Sequence, residues 1–223
     1  MARKKTRERI LDTALQLFNE KGIGVVSSKH ISDEMGISYG NLCYHFPKKD
    51  DIIMQLYLNM QTDLDEQFRL IQEEIFGFDF MVKSLQALLR TVYRYKFIYL
   101  DITIMTRRNE EIKKHAIQQV EMRRKMLKGL IEFLIHEGYA KFEKVEGHYD
   151  KLVHIMLILL NSWIADSETF YKGSEEDKIG YYLDLFYSFM RPSLTKKGIE
   201  AFNQIHGLTI ILKEDSEQIS GGL

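Results

Sequence analysis

The sequence has little that would staple or interrupt a chain. Among its 223 residues there is one cysteine, Cys43, and there are two prolines, Pro47 and Pro192. A single thiol excludes an internal disulfide framework and a multi-cysteine metal site. Two prolines leave long helices free to run. No apolar run approaches the roughly 18 residues that span a bilayer; the richest, Ile155 to Leu160, stops at Asn161. The basic start, Ala2-Arg3-Lys4-Lys5, leads into no signal-type apolar core, and a cytoplasmic protein with no membrane partner is the expectation. A strong excess of either charge is also missing. The formal net charge of −1 argues against a protein that coats nucleic acid over its whole surface.

Familiar catalytic patterns are absent as well. There is no phosphate-binding glycine loop, no His-Glu-x-x-His and no Cys-x-x-Cys; Gly36-Ile37-Ser38-Tyr39-Gly40 fits Gly-x-Ser-x-Gly in spelling alone, since it falls in a turn between two short helical stretches and follows no strand. None of the seven histidines has a glutamate three residues before it, so the di-iron bundle pattern fails too. Asp150 and His154 are four apart and could share a helix face toward a metal, but a solvated surface pair is the favoured reading. The chain is read as a non-enzyme with no catalytic residue, no metal and no cofactor. A helical-bundle enzyme is the distant alternative.

What is present suits a packed helical protein. Hydrophobic residues make up 45% and charged residues 28%. Charge is uneven along the chain. Residues 1–50 hold nine Lys and Arg against six Asp and Glu, a surplus of three, which leaves −4 for the remainder. A mildly basic head on an acidic body fits a local contact with phosphates.

The strongest signal lies in Ser27 to Lys49. Ser28 can cap a helix that includes Ile31 and Met35. Gly36 stands where that helix must stop. Ile37 follows as an apolar plug, and Ser38 can cap a second helix from Tyr39 to Phe46. Leu42 and Phe46 are four apart and share a face that packs inward with Ile31, Met35 and Ile37. Asn41, Tyr44 and His45 cannot all join that face. Pro47 disfavours helical geometry in Phe46 and closes the second helix. This spacing describes a helix-turn-helix, and equally an ordinary helical hairpin with a solvated polar side. In front of it, Ile10, Leu11, Ala14, Leu15, Leu17 and Phe18 predict an amphipathic helix over Thr6 to Lys21 that completes a three-helix core. Ala2 to Lys5 read as a frayed terminus, with a DNA-groove arm as the alternative.

Ala14, Phe18, Gly22, Ser28, Ile31, Gly36, Ile37, Ser38, Gly40, Leu42, His45, Phe46, Lys49 and Ile52 together resemble the N-terminal domain of TetR-family (tetracycline-repressor-like) bacterial transcription regulators. The resemblance covers roughly Thr6 to Met60. One position departs. The family usually has a tyrosine where this chain has Cys43, so that residue's contact with the DNA backbone is not carried over. Cys43 reads first as a small helix residue, then as a contact for a thymine methyl, and last as an oxidant sensor, which needs an exposed low-pKa thiol.

The resemblance implies an all-α protein. Residues 1–50 would form the helix-turn-helix domain, 51–210 a helical effector-binding and dimerisation domain, and 211–223 a loose tail. Ser27, Ser28, Lys48 and Lys49 are assigned to phosphates, which fix position without reading sequence, and Lys29 is counted with the DNA-binding residues. Ser38, Tyr39, Asn41, Tyr44 and His45 are the base-reading candidates, and the resemblance favours a phosphate contact for His45. The partners implied are a palindromic operator in double-stranded DNA, a small effector and a second copy of the chain. A repressor released by its ligand is the expected mode. A ligand-independent or architectural DNA binder of the same fold is the alternative.

The body continues the helical pattern. Ile52, Ile53, Leu56, Tyr57, Met60 and Leu64 recur at three and four in a helix that starts at Asp50 and ends near Gly77. Leu85, Leu88, Leu89 and Val92 predict another. Tyr93, Tyr95, Phe97 and Tyr99 then alternate, but a lone strand would have no partner, so a helix end with aromatics on several faces is the reading. Asp101 to Arg108 forms a short helix or turn, Glu110 to Glu137 a long helix, Lys141 to Gly147 a polar loop, and Tyr149 to Tyr171 the most apolar helix. Glu175 to Met190 is the next helix, and Leu194 to His206 a further one. In the family the last two long helices form a four-helix dimer bundle. That resemblance nominates Leu152, Ile155, Met156, Leu159, Trp163, Ile179, Leu183, Phe186, Tyr187 and Met190 for the dimer interface. Tyr93, Phe97, Met105, His115, Met126, Trp163 and Tyr171 are the candidates for a pocket taking an apolar or aromatic effector, although aromatics at such spacing are more often core.

Overall fold

The computed structural model describes residues 2–74 and 78–204. Its first helix, α1, spans Ala2–Lys21; α2 spans Ser28–Glu34, α3 Tyr39–His45, and α4 Lys49–Glu74. Then come α5 (Phe78–Arg94), α6 (Lys96–Leu100), α7 (Ile102–Arg108), α8 (Glu110–His136), α9 (His148–Thr169) and α10 (Glu175–Met190). A 3-10 turn, Arg191–Ser193, follows, and residues 196–204 are helical. Among the described residues extended pairing is limited to an isolated bridge between Ala140 and Leu194. The expected end of the long helix at Gly77 and the expected loose tail at 211–223 lie outside the described residues.

The helix boundaries have local causes. Gly22 and Gly36 sit at φ 75° and 65°, the left-handed backbone that ends α1 and α2. Phe46, ahead of Pro47, is extended at φ −139° and ψ 97°, which ends α3. The alternating aromatics mark a break, not a strand: α5 ends at Arg94, and Tyr95 flanks α6. Two expectations need correction. Ala2 to Lys5 belong to α1 and form no separate arm, because nothing before Lys21 breaks the helical pattern. Ser27, not Ser28, is the N-cap of α2, since Ser27 has the extended backbone (φ −106°, ψ 163°) a cap requires and Ser28 is already helical.

The chain divides into two compact units. The first comprises residues 2–69, 87–119 and 161–172. Its core holds Ile10, Ala14, Phe18, Ile31, Leu42, Ile52, Leu56, Leu89, Phe97 and Ile112, each essentially buried. The second comprises 120–160 and 173–204 together with described residues from 70 to 86. Its core holds Leu134, Val153, Leu157, Leu160, Tyr182 and Phe186. In this unit Gly198 passes so close to Tyr139 that a Cβ there would overlap the Tyr139 carbonyl oxygen.

Candidate nucleic-acid interface

α2 and α3 are short, and short helices need their ends satisfied. α2 begins in a reciprocal capping box. Ser27 Oγ accepts the His30 N–H at 3.2 Å, and His30 Nδ1 accepts the Ser27 N–H at 3.3 Å, so an imidazole fills the role usually taken by Glu or Gln. Its last turn closes with Gly36 N–H donating to Asp33 and Ile37 N–H to Ser32. Ser38 caps α3 by accepting the Asn41 N–H at 3.2 Å. Ile31 and Leu42 are fully buried and lock the two helices together. Phe46 is buried as well, and the Arg7 guanidinium lies 4.7 Å over its ring. Arg7 also donates to Gln55 at 2.7 Å, bracing α1 on α4.

The other side of α3 is open. Tyr39 and Tyr44 are 51% and 64% exposed, Asn41 is exposed, and His45 is half-buried with its ring edge-on to Tyr44 at 5.4 Å. Gly40 keeps the backbone between them clear of side chain, with nothing within 4 Å of where a Cβ would sit. Cys43 is half-buried, and its hydrogen bond to Tyr39 raises that phenol's pKa.

The basic residues divide. Lys48 is exposed at the start of α4, where its backbone N–H is capped by Asp51 at 2.9 Å. Lys29 is exposed but pairs with Asp33 one turn on. Lys49 departs from its expected phosphate role. Its ammonium is turned inward and donates to the carbonyls of Ile23 at 2.6 Å and Val26 at 2.9 Å. Partial burial, and then the nearby Arg108 guanidinium, lower its pKa.

The same loop is held from the opposite side. Asp101, between α6 and α7, accepts the Ile23 N–H at 2.9 Å. The Ile23 residue is therefore held at both its backbone polar groups, N–H by a carboxylate and C=O by an ammonium. Asn19 adds a second fastening: it donates to the Arg94 carbonyl at 2.9 Å and accepts the Phe97 N–H at 3.1 Å. The Phe18 and Phe97 rings pack beside it at 5.3 Å. Phe97, nominated for a pocket, is thus a core residue that seats α6 on α1. Sequence reasoning missed Asn19, Asp101 and the inward turn of Lys49; isolated polar residues carry no periodic signal.

The remaining pocket candidates scatter. Tyr93 stacks on Trp163 at 6.1 Å and donates to Glu168 at 3.3 Å, while Lys96 bonds Glu168 at 2.5 Å and lies 5.3 Å from the Tyr93 ring centre. His115 meets the Tyr57 hydroxyl at 3.1 Å. Met105 is buried, Tyr171 is half-buried, and Met126 is an exposed residue of the second unit. The dimer nominees also divide. Leu152, Met156, Trp163, Leu183, Phe186, Tyr187 and Met190 are buried by the chain itself, and burial pushes the Tyr187 phenol up. Leu159 and Ile179 are half-buried, and Ile155 is exposed. The outward apolar residues of α9 and α10 in the second unit are Ile155, Ile158, Tyr181 and Leu185. Asp150 finds its partner in Lys128 at 2.6 Å. No described helix is long and apolar enough to cross a membrane.

The chain is similar to known transcriptional regulators. A family model described as bacterial transcriptional repressor matches residues 59–202, and one described as bacterial regulatory proteins, tetR family, matches residues 10–56. The HTH-type transcriptional regulator UidR of Escherichia coli (strain K12) is 32% identical over 107 residues, covering 48% of this chain and 55% of UidR. An HTH-type regulator of Staphylococcus aureus (strain USA300) is 35% identical over 91 residues, 39% of this chain and 48% of the relative. The matches thus span about half the length of these curated relatives. Among solved structures, a TetR-family regulator from Marinobacter aquaeolei VT8 superposes with a TM-score of 0.79 at 20% identity, over 91% of this chain and 97% of its own. The ketosteroid transcriptional regulator KstR2 of Mycobacterium tuberculosis does so at 0.66 and 18%, over 86% and 96%. The two family models run in order along one helical chain whose exposed α3 follows a capped turn, and the protein belongs to the TetR family of bacterial helix-turn-helix transcriptional regulators.

Proposed function

We propose that the protein is a repressor that binds a palindromic operator as a homodimer and leaves it when a small organic ligand enters the body. The observation that carries this reading is the open face of α3. Tyr39, Asn41 and Tyr44 stand exposed on a helix whose other side is locked by Leu42 and whose start is capped by Ser38. A rigid helix with amide and phenol groups outward suits base edges in a major groove, where Asn pairs with adenine and aromatic rings meet thymine methyls. Ser27, Ser28, Lys29 and Lys48 flank it and serve phosphates, as does His45. Lys49 supports the loop behind them.

A single such helix reads few base pairs, and two copies related by a two-fold axis read an inverted repeat. Ile155, Ile158, Tyr181 and Leu185 supply the apolar surface that a second copy would cover. The ligand reading rests on the aromatic cluster of Tyr93 and Trp163. It also draws on one fold neighbour, the ketosteroid regulator KstR2, which shares only the fold with this chain. The protein would act on the chromosome in the cytoplasm, with no catalytic role. Selection of bound duplexes from a random pool tests the reading. Enrichment of an inverted repeat supports it, and recovery of no common sequence at moderate salt overturns it.

A further inference from the structure

The positive charge around the reading helix is thinner than the sequence suggests. Lys29 is paired with Asp33, and Lys49 is turned onto the Ile23 and Val26 carbonyls. Of the three lysines, Lys48 stays open to solvent. A further cation stands at the same end of α3 without being part of it. Arg7, near the start of α1, lays its guanidinium 4.7 Å over the ring of Phe46. Phe46 is the C-cap of α3, and in sequence it lies between His45 and Lys48, the two residues given to phosphates on that side.

The guanidinium is fixed from two directions. The buried Phe46 ring supports it from below, and Gln55 Oε1 of α4 accepts from Nη2 at 2.7 Å. Gln55 is itself oriented, because its Nε2 donates to Asn59 Oδ1 at 2.9 Å and so leaves its oxygen toward Arg7. Of the five N–H donors that arginine carries, this uses one. The side chain is exposed and has no ion pair with any described residue. The tether is also neutral. A carboxylate at position 55 would brace α1 on α4 with a charge-assisted bond, roughly twice as strong, but it would cancel the charge. An amide holds the guanidinium in place and leaves its charge uncompensated. A permanently charged planar fork, pre-organised beside a DNA-reading helix, matches a phosphate, which it grips through parallel N–H bonds.

We propose that Arg7 of α1 contacts a backbone phosphate of the bound duplex beside the end of α3, and that Gln55 and Phe46 position it for that contact. The contact fixes the register of α3 and reads no base. It rests on the DNA binding proposed above, and it holds on any duplex whether or not α3 selects a sequence.

Affinity of the full chain across a salt series, on a selected duplex and on an unrelated one, tests it beside thermal melts. Arg7→Met keeps hydrocarbon over Phe46 and removes the charge. It should weaken binding to both duplexes alike and reduce the salt slope by about one per half-site. Arg9, two positions on and about 200° around α1 from Arg7, is an exposed cation on the other side of the helix. Arg9→Met should leave the slope near that of wild type. Gln55→Glu separates a contact from a brace. It keeps the tether and neutralises Arg7, so it should weaken binding to both duplexes while the melting temperature is maintained; a mere brace would bind as well as wild type or better. A slope unchanged in Arg7→Met, an equal loss of slope in Arg9→Met, or undiminished binding by Gln55→Glu would overturn the proposal. A wild type that selects a sequence while Arg7→Met keeps its slope loses this contact and retains its function. One that binds duplexes without preference, with the slope reduced in Arg7→Met, retains the contact and loses the operator reading. A wild type that binds no duplex overturns both.

Discussion

The carboxylate of Asp101 accepts a hydrogen bond from the backbone N–H of Ile23 at 2.9 Å, across 78 positions of sequence. Ile23 lies in the loop that leads from α1 into α2, and Asp101 joins α6 to α7. A shift of α6 therefore reaches the loop before α2 through this bond, and reaches α1 through Asn19 and Phe97. Asp101→Ala leaves that N–H without its partner at a part-buried position. The expected cost is about 1–3 kcal/mol of stability, together with weaker operator binding. Asp101→Asn keeps an acceptor and should retain most of both. Denaturant titration and fluorescence anisotropy on an operator duplex check the pair; an alanine variant indistinguishable from wild type in both would remove Asp101 from the account.

Lys48 and Lys49 are neighbours in sequence with opposite orientations. Lys48 is exposed, whereas Lys49 is spent on the Ile23 and Val26 carbonyls. Lys48→Ala should weaken binding to all sequences alike and reduce the salt slope by about one. Lys49→Ala should lower the melting temperature and leave the salt slope near that of wild type. Affinity measured across a salt series, beside thermal melts, distinguishes the two. A reduced slope with unchanged stability in Lys49→Ala would return that residue to the phosphate contacts.

Tyr95 gives the protein an alkaline limit. Burial first, and then its bond to Asp63, raise the phenol's pKa above its ordinary 10.0. The folded state thus holds this proton more tightly than the unfolded state. The stability it contributes is complete below pH 10 and declines as pH rises from there. Tyr187, raised by burial, acts in the same direction in the second unit. Tyr95→Phe should cost about 0.5–1.5 kcal/mol at neutral pH by deleting the bond to Asp63, yet show a shallower fall above pH 10. Melting curves between pH 7 and about 11 provide the comparison; parallel curves for the two proteins would contradict it.

On the proposed dimer surface, Ile155→Lys and Leu185→Lys place charge on outward apolar positions without disturbing residues the chain already buries. Each should shift sedimentation toward the monomer while helicity is preserved. Were both variants to sediment as the wild type does, the interface would lie elsewhere.

Much of this was legible in the sequence, for identifiable reasons. Periodic apolar residues placed the helices, and Gly36, Ser38 and Pro47 marked the turn because each acts on its own backbone. The cap of α2 was displaced by one residue, since adjacent serines offer the same hydroxyl and only backbone geometry separates Ser27 from Ser28. The dimer nominees followed hydrophobicity, which marks both the core and a docking face. Exposure separates Ile155 from Leu152, and sequence does not carry exposure. Lys49 looked like a phosphate ligand because a cation at a helix start is ambiguous until its ammonium is located. Asp101 and Asn19 had no local signature, because their partners lie 75 or more positions away.

The central claim is that α3 reads bases, and parallel selection from a random duplex pool with wild type and Asn41→Ala tests it most directly. The account predicts that the wild type enriches an inverted repeat. In the variant, preference should relax at one position of each half-site by about 1–3 kcal/mol, with the flanking preferences kept. Identical enriched sequences from the two proteins would contradict the role of Asn41, and no enrichment by the wild type would contradict the claim itself.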